Sequence, residues 1–108
     1  MTIQHLTLAK FRIGMTTEQM EEAYKTIHRL MQGALLVPGV KSFTSGPPMD
    51  RKGTRGYQVA LIVDFENMQA FRAYIPHPHH RLMADFVYSI AQEKPLSYQI
   101  DTDQIAKL

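Results

Sequence analysis

The sequence predicts a two-layer α+β domain with the element order βαββαβ and an antiparallel four-stranded sheet. Three observations predict it. Segments 2–13, 57–65 and 96–101 alternate in side-chain character at the two-residue period of a strand. Apolar residues between the strand segments recur at helical spacing. The chain has 108 residues, enough for one compact domain and too few for two ordinary ones.

Residues 2–13 open the chain as a strand. Ile3, His5, Thr7, Ala9, Phe11 and Ile13 share one face; Leu6, Leu8, Lys10 and Arg12 share the other. Gly14 ends it. Thr16 with Gln19 matches a capping box, so a helix starts there. Met20, Ala23, Tyr24, Ile27, Leu30, Met31 and Ala34 form its apolar stripe, and Pro38 with Gly39 stops it. Residues 40–45 read as a second, weaker strand. Residues 46–56, rich in Gly and Pro, read as a loop.

Residues 57–65 alternate most clearly: Tyr57, Val59, Leu61, Val63 and Phe65 against Gln58, Ala60, Ile62 and Asp64. A short helix over 67–74 breaks at Pro76. Pro78 suits the first turn of a further helix, whose stripe is Leu82, Met83, Phe86, Val87 and Ile90 and which Pro95 closes. Leu96, Tyr98 and Ile100 alternate with Ser97, Gln99 and Asp101 in a last strand. Residues 1–108 form one domain, with 103–108 expected as a loose tail.

This order is the ferredoxin-like pattern, a sheet with helices on one side. Helices on one side leave the other face bare, yet Leu6, Leu8, Ala60 and Ile62 point there. A second copy of the sheet is the simplest cover.

Composition narrows the function. Hydrophobic residues make up 44% and charged residues 20%, which argues against disorder. Net charge is +2, and the one basic cluster is Arg51, Lys52 and Arg55 in a loop, so no nucleic-acid partner is expected. There is no Cys, which removes disulfides, zinc–thiolate sites and thiol nucleophiles. No signal peptide or membrane span is read, and a cytoplasmic protein is expected. Met20, Met31 and Met83 sit on core stripes and read as filling. No glycine-rich phosphate loop or nucleophile elbow is present.

Three segments carry a resemblance. They are His5-Leu-Thr-Leu-Ala-Lys-Phe-Arg12, Gly56-Tyr-Gln-Val-Ala-Leu-Ile-Val-Asp-Phe-Glu-Asn67 and Ala73-Tyr-Ile-Pro-His-Pro-His-His80. Together they resemble the stress-responsive A/B barrel domain family, known as Dabb. The resemblance implies a homodimer whose two sheets close into a dimeric α/β barrel. One branch of that family closes polyketide chains by intramolecular aldol condensation. Likeness to it implies an acid/base pair at His5 and His80 with Tyr74 beside them. Position 79, usually small in the family, is His here, and Ile27 stands where that branch has an aromatic residue.

The residues themselves support such chemistry. His80 precedes Met83 by three positions and Val87 by seven, so it borders its helix's apolar stripe. If that helix lies over the face carrying His5, two imidazoles converge on one pocket. One can take a proton from carbon next to a carbonyl. The other, or Tyr74, can hold the oxyanion. Ile27, Met31, Val59, Leu61, Met83 and Phe86 are the expected ligand-binding walls. The competing readings make these His residues ligand contacts without turnover, or structural groups.

His77 before Pro78 suits a helix N-cap. His77, His79 and His80 crowd one turn, a poor geometry for a metal, so no metal is expected. No haem or other cofactor is expected either. The resulting expectation is a homodimer binding a small hydrophobic, polyketide-like or carbonyl ligand, with cyclase- or lyase-type chemistry. The alternative is a non-catalytic stress-response or structural dimer module.

Overall fold

A computed structural model describes residues 2–104. The elements run β1 (Ile3–Ala9), α1 (Thr17–Ala34), β2 (Val40–Gly46), β3 (Val59–Phe65), α2 (Met68–Tyr74), α3 (Pro78–Ile90) and β4 (Leu96–Asp101). The four strands form one sheet in the order β2-β3-β1-β4. Every neighbouring pair is antiparallel. This is the expected ferredoxin-like α+β architecture, with the second helical region split in two. No described helix is long and apolar enough to cross a membrane.

Local chemistry sets the helix starts. The Thr16 hydroxyl accepts from the Gln19 N–H at 3.1 Å, and the Gln19 side chain accepts from the Thr16 N–H at 2.9 Å. That reciprocal pair satisfies two donors an isolated helix end leaves open. Asn67 caps α2 through Ala70 N–H at 2.8 Å. His77 caps α3, with Pro78 at the first helical position.

The inner face of the sheet carries the core. Ile3, Ala9, Val59, Leu61, Val63 and Phe65 pack there against Ala23, Ile27 and Met31 of α1 and Met83 and Val87 of α3. The outer face is apolar as well. Cross-strand register aligns Ile62, Leu6 and Tyr98 in one row and Ala60, Leu8 and Leu96 in the next. Leu96, Tyr98 and Ile100 are exposed on it.

Several boundaries differ from the sequence reading, each for a physical reason. β1 ends at Ala9, not at 13. Beyond it the chain changes partner: Phe11 bridges to Ala91, and the Arg12 N–H donates to Ile90 O at 2.9 Å. The Gln58 side chain takes the Phe11 N–H at 2.9 Å. Ile13 is therefore 91% exposed, outside the face it was assigned to. α3 stops at Ile90 rather than near Pro95, because residues 91–92 are drawn into that same pairing. Leu82 is exposed, since a step of about 100° from Met83 turns it outward. β3 starts at Val59, after a turn in which Tyr57 N–H donates to Thr54 O. At the C-terminal end, Thr102 N–H donates to Thr2 O at 2.9 Å, so the chain stays docked there. Most of the expected tail, 105–108, lies outside the described residues.

Candidate functional site

A cavity of about 310 Å³ lies between the inner face of the sheet and helices α2 and α3. Its apolar walls include Met31, Leu61, Val63, Phe71, Met83 and Val87. Seven side chains with polar atoms also reach it: His5, Thr7, Tyr74, His80, Tyr88, Ser97 and Gln99. Ile75 and Tyr88, both partly open to solvent, mark its mouth. Among the described residues no carboxylate lines it.

Each key side chain is placed by its element. His5 sits mid-strand on β1, facing inward, and is buried. Its ring meets Phe71 of α2 at 5.2 Å between centroids. Tyr74 ends α2 and is 1% exposed, wedged against Phe65 at 5.1 Å and His80 at 4.8 Å. Its hydroxyl makes no hydrogen bond to described residues yet is not sealed off, so it opens on the cavity. His80 lies in the first turn of α3. Its Nδ1–H donates to Ile75 O at 2.7 Å, which directs Nε2 away from the backbone. The turn at Pro76 supplies that carbonyl: the chain folds back after Tyr74, and His77 N–H donates to Tyr74 O at 2.9 Å.

Burial sets the protonation states. It pushes the His5 pKa down to about 4, and nearby His80 adds to the effect. Burial also lowers His80, with the Ile75 carbonyl opposing the shift. Both rings are thus neutral at neutral pH, so one can accept a proton. Burial raises Tyr74 to about 12, which keeps its hydroxyl a donor.

The three residues expected to carry chemistry, His5, Tyr74 and His80, therefore meet on one hollow. Of the expected walls, Met31, Leu61 and Met83 line it. Ile27, Val59 and Phe86 do not, which corrects that part of the sequence reading. Ile27 is fully enclosed in the core. Val59 borders a separate hollow with Leu8, Pro47 and Tyr57. Phe86 packs half-buried beside the core. Helical spacing names an apolar stripe but not which member borders a gap between elements.

Thr7, Phe71, Ser97 and Gln99 are among the lining residues that the sequence reading does not name. Ser97 and Gln99 form the polar side of β4, a signal visible in the alternation. What alternation lacks is register, which sets Gln99 opposite His5 and Ser97 opposite Thr7.

His77 and His79 stand apart from the cavity. His77 Nδ1 accepts from His79 N–H at 3.2 Å, and the two rings stack at 5.3 Å. His28 packs on Phe43. Among the described residues no group of three or more His, Cys, Asp or Glu side chains could hold a metal ion.

Comparison with known proteins agrees with this architecture. Residues 3–96 match the stress responsive A/B barrel domain family. The chain is 32% identical over 99 residues to olivetolic acid cyclase of Cannabis sativa, covering 91% of this chain and 94% of that protein. A dimeric ferredoxin-like protein of unknown function from Bacteroides fragilis superposes with a TM-score of 0.78 at 16% identity, covering 93% of this chain and 95% of that one. A hydroxynitrile lyase from Passiflora edulis gives a TM-score of 0.69 at 14% identity, covering 93% of this chain and 94% of that one. At such identities the two structural matches speak to the fold alone. Match length and sequence identity together establish that this chain is a member of the stress responsive A/B barrel domain family.

Proposed function

We propose that this chain is a homodimeric, cofactor-independent enzyme acting on a small hydrophobic carbonyl compound of polyketide-like character. The reading rests on one observation: His5, Tyr74 and His80 open on the same apolar-walled cavity. The similarity to a plant cyclase supports the class of reaction. Homodimerisation is supported by the bare apolar outer face and by similar proteins described as dimeric.

The polar groups on the cavity support the following steps. The ligand lies along Met31, Leu61 and Met83 with its carbonyl toward the polar end. Nε2 of His80 takes a proton from the carbon beside that carbonyl. The carbon–hydrogen pair moves into the forming enolate, whose oxygen accepts from the Tyr74 hydroxyl and from His5. The enolate carbon then attacks a second carbonyl of the same molecule, forming a carbon–carbon bond and an alkoxide. The His80 imidazolium returns its proton to that alkoxide. Run in reverse, the same steps cleave a β-hydroxy carbonyl compound, which is lyase chemistry.

A 1,3,5-triketone with an alkyl tail tests this, because it carries an acidic carbon and an electrophilic carbonyl in one chain. Wild-type protein should accelerate its cyclisation. His80→Gln should lower the rate about 10²–10⁴-fold, the usual worth of a general base, while binding persists. His5→Gln should also slow it. Binding without turnover in the wild type would identify a ligand carrier instead. Loss of thermal stability in step with loss of rate would make these residues structural.

A further inference from the structure

We propose that Gln99 on β4 is a positioning residue: it donates an amide N–H to Nδ1 of His5 and so fixes that ring with its proton on Nε2. The site is thereby divided. His5 becomes a fixed hydrogen-bond donor toward ligand oxygen, and His80 becomes the base.

The geometry carries this. Gln99 and His5 are cross-strand partners on the inner face. The Gln99 amide nitrogen is 2.9 Å from His5 Nδ1 and 3.0 Å from Ser97 Oγ. Both amide hydrogens are thus engaged, one on the imidazole and one on the hydroxyl. A ring nitrogen that accepts carries no proton, so the proton of neutral His5 is on Nε2. That atom's protein contact is Thr7 Oγ1 at 3.5 Å, at the outer limit of a hydrogen bond. Its N–H is therefore available to a ligand in the cavity.

His80 has the opposite arrangement. A backbone carbonyl can only accept, so the 2.7 Å contact to Ile75 O places the His80 proton on Nδ1 and leaves a lone pair on Nε2. Two chemically identical side chains are thus given opposite roles by their neighbours.

The surroundings of His5 hold it neutral. α2 contributes Phe71 and Tyr74, α3 contributes His80 and Tyr88 to the same cavity, and β1 and β4 contribute Thr7 and Ser97. Among the described residues no carboxylate lines the cavity, so none offsets a positive charge on His5. Burial disfavours it further. A glutamate at position 99 would reverse both features, accepting from Nδ1–H and favouring the charged ring.

The catalytic meaning of this assignment rests on the function proposed above; the tautomer itself does not. Imidazole 15N spectra of the whole protein at neutral pH read it without any substrate. In the wild type, the His5 signals should show a protonated Nε2 and an unprotonated Nδ1. Gln99→Glu should move the proton to Nδ1 and shift the ring's titration upward by at least one pH unit. Gln99→Met, similar in size but unable to donate, should give mixed tautomers and keeps the test valid if the glutamate variant misfolds. Wild-type His5 protonated on Nδ1, or a tautomer unchanged in the methionine variant, would overturn the proposal. A tautomer switch in a protein that turns over no ketone would remove the enzymatic reading and leave the role of Gln99 intact.

Discussion

At the scale of single residues, His5 links the cavity to stability. Its ring titrates near 4 in the folded chain, below the ordinary value of 6.5, chiefly because it is buried. As pH falls through 6.5 the unfolded chain takes up a proton that the folded chain refuses until about 4. The unfolded state then binds more protons, so stability drops across that window and is fully present above it. His80, also lowered, acts in the same direction. The urea midpoint should therefore fall between pH 7 and pH 4.5, and fall less in His5→Gln. An equal fall in both proteins would contradict the buried neutral ring. The family resemblance nominates His5, Tyr74 and His80, and strand parity for His5 and the helix stripe beside His80 agree with it. Gln99 was not legible as a partner of His5, since 94 residues separate the two and only strand register brings them together.

At the scale of elements, caps and breakers carried the reading well. Thr16 with Gln19, Asn67, and Pro78 each begin a helix where their side-chain chemistry requires. Strand and helix ends were less legible. Residues 10–12 and 91–92 pair with each other across the fold, and no local pattern announces that exchange. Gly39, which ends the α1–β2 turn, offers a sharp test. Its φ of +87° suits glycine, and an added Cβ would collide with the Cβ of Ala70 on α2. Its carbonyl also accepts from Glu66 N–H at 2.9 Å, tying the turn to the end of β3. Gly39→Ala should cost about 1–3 kcal/mol from the backbone conformation alone, and more with the collision. Thermal denaturation that leaves the melting point unchanged would show that this turn relaxes freely.

At the scale of the whole molecule, the sheet is apolar on both faces while its helices cover one. This much was legible in the alternation, because Leu6, Leu8, Ala60 and Ile62 could not all face the core. The exposed row on β4 enlarges that outer surface. A face of this kind is stably buried by a second copy, and obligate interfaces commonly bury more than about 2,000 Å². Light scattering at micromolar concentration should give a dimer mass for the wild type and a monomer mass for Leu6→Lys, which places a charge in the middle of the face. A monomeric wild type would refute the dimer. In the proposed dimer one side of the sheet serves association, and the other side borders the cavity. Whether that cavity performs proton transfer is tested most directly by deuterium uptake. An alkyl methyl ketone in heavy water, followed by proton NMR, should lose its hydrogens beside the carbonyl faster with wild-type protein than in buffer. His80→Gln should return the rate about 10²–10⁴-fold toward that of buffer. Exchange no faster than buffer with bound ketone, or equally fast exchange in the His80 variant, would contradict the account.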